Sequence, residues 1–293
     1  MNRRKRPKLS TVCLHCFFLI LVVISVYPIL LILFNAVSAE THIKEIGYVL
    51  YPQDFSLSAF QYLMKDYSQL LKSLWASIIY AVGGSLFSVL VQAMLGYTLT
   101  RKEFFLKKTI TIMLIITMFF NPGLIPTYMV NTQIYHLENS WLVYILPGSV
   151  SAFSVVIYRT YFTSIPDSLI ESAEIDGANH MQILRKIIIP LSLPIIVTQF
   201  FLNMSGRWKT YTTSLYYITD QSKVVLEYYI QQLMKDASLL AQNATSLGLS
   251  PDQYPVETMR FAVVFFTLIP MLLVFPFLQK YFEKGAMVGA VKG

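Results

Sequence analysis

Along most of this chain apolar residues do not alternate with polar ones; they run on for the thickness of a membrane. A crossing helix needs roughly 20 largely apolar residues. Six stretches meet that requirement: Cys13 to Ala36, Leu74 to Leu99, Thr109 to Asn131, Ser140 to Tyr161, Pro190 to Tyr217 and Met259 to Gln279. Two intervening segments switch to a helical period. Leu57, Phe60, Leu63 and Met64 form one stripe, and Val225, Leu226, Tyr229, Ile230 and Leu233 another, as in amphipathic helices lying on a membrane or against a partner. The pattern predicts an all-α membrane protein with six transmembrane helices in a single membrane domain.

Composition agrees with the pattern. Of 293 residues, 55% are hydrophobic and only 13% charged, about half the charge of a soluble domain. Disorder is excluded on the same grounds, because a disordered chain lacks apolar residues. The net charge of +7 comes in short clusters beside the apolar runs and forms no stripe interleaved with aromatics. It therefore suits an anionic inner leaflet better than nucleic acid. Arg3, Arg4, Lys5, Arg6 and Lys8 precede the first run. Arg101, Lys102, Lys107 and Lys108, then Arg159, Arg185 and Lys186, then Lys280, Lys284 and Lys292 fall on the same side. By the excess of basic residues inside, both termini are cytoplasmic. The first run imitates a signal peptide with small residues at Ala36 to Ala39, but it is too long for a signal core and reads as a retained span. A mature mass beginning at Glu40 would overturn that. Cys13 and Cys16 form one CxxC without a second pair, which points to packing thiols and not to a metal site. The sequon at Asn243-Ala244-Thr245 reads as coincidence.

Candidate chemistry within the spans is sparse. Their apolar cores hold no Asp or Glu, which weighs against an ion-coupled carrier. His15, His42, His136 and His180 are scattered, so no catalytic constellation and no metal set emerges, and the chain lacks a GxxxxGK[ST] phosphate loop. No catalytic residue and no bound cofactor is expected. In the second span Ser77, Ala81 and Ser85 recur every four residues with Gly84 and Ser88 alongside, allowing another helix to come close. The fifth span carries Arg207, about 25 Å along it from Pro190 at 1.5 Å per residue. Two readings stay open. Arg207 either snorkels to the outer interface, or forms with Asn203, Trp208 and Tyr211 a polar, aromatic wall of a solute path, where an indole face suits a sugar ring and a guanidinium suits hydroxyls or a uronate.

The inner segment from Ser164 to Pro190 is of another kind. Ser164 reads as a helix cap, Pro166 as first-turn residue, and Asp167 stands three positions after the cap. Leu169, Ile170 and Ala173 share one face, with Glu171 and Glu174 beside it, until Asp176-Gly177 stops the helix. A second short helix from Asn179 to Ile189 leads to Pro190 and the next span. Together they predict a bent finger beneath the membrane.

These residues resemble a family. Glu171-Ser172-Ala173, Asp176-Gly177-Ala178, then Ile187 and Pro190-Leu191 look like the EAA loop of ABC-importer permeases of the carbohydrate type, E-A-A-x-x-D-G-A followed by I-x-x-P-L. The resemblance extends to Gly123 through Tyr128, Leu146-Pro147-Gly148, Arg207-Trp208 and the tail from Pro276 to Gly285. Ser172 replaces an alanine, Arg185 stands where an aromatic is common, and Ile189 replaces a leucine.

The resemblance implies the transmembrane domain of a type I ABC importer in the bacterial cytoplasmic membrane. It implies a basic cytoplasmic N-terminus at 1–12, a membrane domain at 13–282 with the loop at 164–190, and a cytoplasmic tail at 283–293. The finger would be a coupling helix seated on an ATPase, with small Ser172, Ala173 and Ala178 allowing close approach, Gly177 the turn, and Glu171 an ion pair. Partners implied are a second permease subunit, two ATPase subunits that carry ATP and magnesium, and an extracellular sugar-binding lipoprotein. Import of oligosaccharides is the expected function; a membrane scaffold or sensor that docks an ATPase without passing solute is the alternative.

Overall fold

The computed structural model describes residues 9–243 and 254–290. The basic cluster before Leu9, Thr245 of the sequon and Lys292 lie outside them. Among the described residues the regular structure is helical, apart from one antiparallel bridge between Ser38 and Phe55. Helices α1 (Leu9–Ala36), α2 (Glu40–Ile46) and α3 (Ser58–Leu63) come first. The second apolar run is one long helix made of α4 (Tyr67–Ile78), a π turn over Ile79–Gly83, and α5 (Gly84–Thr98). Then follow α6 (Lys107–Phe119), α7 (Leu124–Met129), a 3-10 turn at Trp141–Tyr144, and α8 (Ala152–Thr163). The finger is α9 (Asp167–Ile175) and α10 (His180–Ile183), which runs through a π turn into α11 (Ile189–Leu191). Last are α12 (Leu193–Trp208), α13 (Thr212–Tyr217), α14 (Leu226–Asn243) and α15 (Val256–Ala290).

Three described helices are long and apolar enough to cross a membrane: Cys13–Ala36, Tyr67–Thr98 and Val256–Pro276. A fourth candidate is the pair His180–Leu191 and Leu193–Trp208, bent by 82°. The bend falls where Pro190 and Pro194 each remove a backbone donor from the ladder. The third and fourth expected spans are not single helices. After α6, Phe120 is extended ahead of Asn121-Pro122, and Gly123 takes φ +82°, so the chain breaks before α7. In the fourth, the 3-10 turn gives way at Leu146-Pro147-Gly148, with Gly148 at φ +69°, before Ser151 caps α8. Apolarity alone registered neither break.

The chain divides into two units, residues 1–66 with 230–270, and 67–229 with 271–293. In the first, α1 exposes every side chain from Cys13 to Pro28, and both cysteines are free and exposed. Its end is different. Asn35 is buried and clasps the backbone of Val49, donating to its carbonyl and accepting from its N–H, both at 2.9 Å. Ala36 and Ser38, candidates for a cleavage site, are buried. Ala59 and Leu63 are the inward positions of α3, while Leu57 and Met64 are exposed.

Glu40 anchors the start of α15. Its buried carboxylate accepts from the N–H groups of Glu257 and Thr258 at 3.0 and 2.9 Å and from the Thr258 hydroxyl at 2.9 Å. A carboxylate there satisfies orphan donors and meets the positive end of the helix. Glu40→Ala is expected to cost about 1–2 kcal/mol, read as a lowered thermal midpoint of the detergent-solubilised subunit.

In the second unit the core lies among α5, α8, the finger and α12. Tyr97, Tyr158, Phe162, Ile170, Ile183 and Ile188 are buried in one cluster. The small-residue stripe of the second span is used as close contact. Ser77 accepts the Leu226 N–H at 2.8 Å, fixing the start of α14, and Ala81 and Ser85 are fully buried. At Gly96 a Cβ would stand 2.7 Å from that of Tyr158. Of the stripe Val225, Leu226, Tyr229, Ile230 and Leu233, expected to lie on a membrane or a partner, the first four are buried within the chain and Leu233 is half-buried.

Candidate functional site

The finger is built by local capping. Ser164 does not start α9; it closes α8, its hydroxyl donating to the Tyr161 carbonyl at 2.7 Å. Pro166 then holds extended backbone, and α9 begins at Asp167 without a side-chain cap. Asp167 places negative charge in the first turn. It also meets Lys102 of the loop between α5 and α6 at 3.7 Å, but both groups are exposed and the pair contributes little. Only Ile170 of this helix is buried. It ties the finger to Tyr158 and Phe162 of α8.

The helix ends in a Schellman turn. The Ala178 N–H reaches the Ala173 carbonyl at 2.9 Å and the Gly177 N–H reaches Glu174 at 3.0 Å, with Gly177 at φ +79°. The chain restarts at Asn179, whose side chain accepts from Gln182 N–H at 2.9 Å. The Gln182 side chain returns the bond to Asn179 N–H at 2.8 Å. This Asn-x-x-Gln capping box was present in the sequence and goes beyond the expected stop at Asp176-Gly177.

Of the expected coupling residues, the structure brings Ala173, Asp176, Gly177, Ala178 and Ile187 together around one open depression of about 350 Å³. Glu171 is exposed on a different side, beside Thr100, Lys102, Asp167 and Glu174 around a smaller polar depression. Ser172 is exposed, its hydroxyl turned back to the Ser168 carbonyl at 2.8 Å, and Pro190 is exposed on α11. A shallow cup with small residues at its edge and Asp176, Gln182 and Lys186 around it has the form of a docking surface and not of a reaction centre.

The Arg207 region is organised around buried contacts of the guanidinium. Arg207 stands in the last turn of α12 and is nine-tenths buried. Its guanidinium donates to the Tyr144 carbonyl at 2.9 Å and to the Ser88 hydroxyl at 3.0 Å, and it lies 5.5 Å over the Tyr80 ring. The Tyr144 carbonyl stands where the 3-10 turn breaks, so the arginine satisfies an acceptor that the backbone leaves open. Tyr144 itself is locked. Its hydroxyl donates to the Lys223 carbonyl at 2.8 Å and accepts from Ser214 at 2.7 Å, while Ser214 accepts from Val225 N–H at 3.0 Å. Nearby, Asp220 accepts from the hydroxyl and the N–H of Ser222, which hold its carboxyl below the usual range.

Asn203 is half-buried and donates to Gln199 at 2.8 Å; Trp208 and Tyr211 are half-buried. The residues that sequence reasoning missed here are Tyr80 and Tyr144. A further depression of about 330 Å³ is lined mainly by apolar side chains, with Asn131, Tyr135 and Ser149 among them.

Residues 92–288 match the family described as binding-protein-dependent transport system inner membrane component. The polygalacturonan/rhamnogalacturonan transport system permease protein YtcP of Bacillus subtilis (strain 168) is 32% identical over 288 residues, 98% of this chain and 100% of the relative. Protein LplC of the same organism is 29% identical over 293 residues, 100% of this chain and 98% of its own. Among solved structures, a bacterial ABC transporter involved in the import of the acidic polysaccharide alginate aligns with a TM-score of 0.75 at 26% identity, covering 96% of this chain and 99% of that one.

Proposed function

The chain belongs to the family of binding-protein-dependent transport system inner membrane components, as a permease subunit of a carbohydrate ABC importer, and from that premise we propose that it forms half of a path for acidic oligosaccharides. The substrate class is favoured by the polygalacturonan/rhamnogalacturonan and alginate systems among its likenesses. The chain crosses the membrane six times with both termini inside, the third and fourth crossings being broken at Asn121–Gly123 and Leu146–Gly148.

The finger is the coupling element. The observation that carries this reading is the gathering of Ala173, Asp176, Gly177, Ala178 and Ile187 on one exposed cup, held to the core by Ile170. A cytoplasmic ATPase seats there, and it carries the ATP and magnesium. Closure of an ATPase pair moves two such fingers, the two permease halves rock, and the path between them alternates its opening. A second permease and an extracellular binding protein complete the assembly. Asn203, Trp208 and Tyr211 face the path, with Arg207 positioning the end of α12.

The test is reconstitution of the full complex into ATP-loaded vesicles with binding protein outside. Labelled oligogalacturonide should enter, dependent on ATP and on the binding protein, while a neutral glucan of equal length should not. Equal entry of both sinks the substrate class; no entry of either sinks the importer reading. Trp208→Ala should lower uptake about tenfold, the scale of losing one aromatic contact of about 1.4 kcal/mol, with assembly unchanged. Unaltered uptake would remove Trp208 from the path.

A further inference from the structure

Helix α5 turns a second stripe away from the core. Leu86, Leu90 and Met94 stand one per turn and are 57%, 54% and 39% exposed. Opposite them is the second arm of the finger, with Met181 exposed and Ile189 half-buried. Between the two runs a groove of about 360 Å³, lined by apolar side chains except for Arg185. From Leu86 to Met94 it extends roughly 12 Å at 1.5 Å per residue. Arg185 is exposed and makes no hydrogen bond or ion pair among the described residues. Exposed Lys186 follows it directly.

An apolar slot bordered by an unpaired guanidinium matches an amphiphile with an anionic head. We propose that this groove holds an acyl chain of an anionic phospholipid of the inner leaflet, with the lipid phosphate on Arg185. A protein helix laid in the slot would cover the guanidinium and would have to bring a carboxylate to it. A lipid phosphate meets it at the water boundary, where a charge-assisted pair forms without a buried charge. The lipid bridges α5 to the arm that follows the cup, and so braces the coupling element. This inference rests on the proposed cytoplasmic placement of the finger.

Native mass spectrometry of the assembled complex, titrated with phosphatidylglycerol against phosphatidylcholine, tests it. The unaltered complex should retain phosphatidylglycerol selectively. Arg185→Gln should weaken that retention roughly fivefold, the effect of one basic residue near an anionic surface. Leu90→Trp fills the slot, leaves Arg185 in place, and should also shed the lipid with all subunits still present. Equal retention by all three complexes overturns the site. Loss of the second permease from the Leu90→Trp complex overturns it too, by showing a protein occupant, and displacement by glycerol phosphate alone overturns it by showing an anion site without a lipid. Sugar-stimulated ATP hydrolysis is read in the same samples. Lipid retention without a sugar response fails the importer reading alone; a sugar response without selective retention fails the lipid site alone.

Discussion

Gly177→Val should leave the subunit in the membrane and abolish uptake. The residue sits at φ +79° with open space around the position of a Cβ, so the obstacle is the backbone and not crowding. A β-branched side chain in that region is strained by at least about 1–2 kcal/mol. Relief means leaving the conformation, and the bonds from Gly177 N–H to Glu174 and from Ala178 N–H to Ala173 go with it. The cup loses its shape, because Ala173, Asp176 and Ala178 are set by that turn. The apolar helices Cys13–Ala36, Tyr67–Thr98 and Val256–Pro276 lie far from it in sequence and should keep the subunit in the membrane. Gly177→Asn is the matched control, since asparagine tolerates the left-handed region, and it should keep most of the uptake. Binding-protein-stimulated ATP hydrolysis should fall with transport in the valine variant. Retained uptake with valine would detach the turn from coupling.

The finger was legible in the sequence because its determinants are local. Asp176-Gly177 stops a helix and Asn179 starts one, whatever the rest of the chain does. Ser164 misled for a physical reason: a serine three residues before an acidic one signals an N-cap, but the preceding helix claims its hydroxyl first and Pro166 holds the next residues extended. The breaks in the third and fourth expected spans are visible as the pairs Pro122-Gly123 and Pro147-Gly148, which an average over hydropathy does not register. Arg207 was hardest. Its partners Ser88 and Tyr144 lie 119 and 63 residues away, and no local pattern names them. One trace of the contact was present: the small residues at Gly84 and Ser88 announced that something would come close, without saying that it would be a guanidinium.

That contact carries the largest expected effect on stability. No Asp or Glu neutralises Arg207 within its cluster; a carbonyl, a hydroxyl and a ring face serve instead. Arg207→Ala leaves the Tyr144 carbonyl and Ser88 without their donor and opens a cavity, which should cost about 2–4 kcal/mol. Lysine is a point charge that can serve one acceptor well but not both, so Arg207→Lys should fall between. Gly84→Ala attacks from the other side. Its Cβ would stand 2.7 Å from the Tyr144 carbonyl oxygen and 2.8 Å from a guanidinium nitrogen, an overpacking cost of about 1–3 kcal/mol. In Arg207→Ala the nitrogen is gone and the carbonyl can shift into the space it leaves. The double variant should therefore lose less than the two single losses together, by about 1 kcal/mol, because both act on one cluster. Thermal midpoints of the detergent-solubilised complexes measure all four differences, and strict additivity of the two single losses in the double variant would show that the residues do not share a cluster. Uptake per assembled complex separates a structural from a substrate-reading role. A clamp lowers the amount of complex and its midpoint while each surviving complex still transports; a residue that touched the sugar would do the opposite.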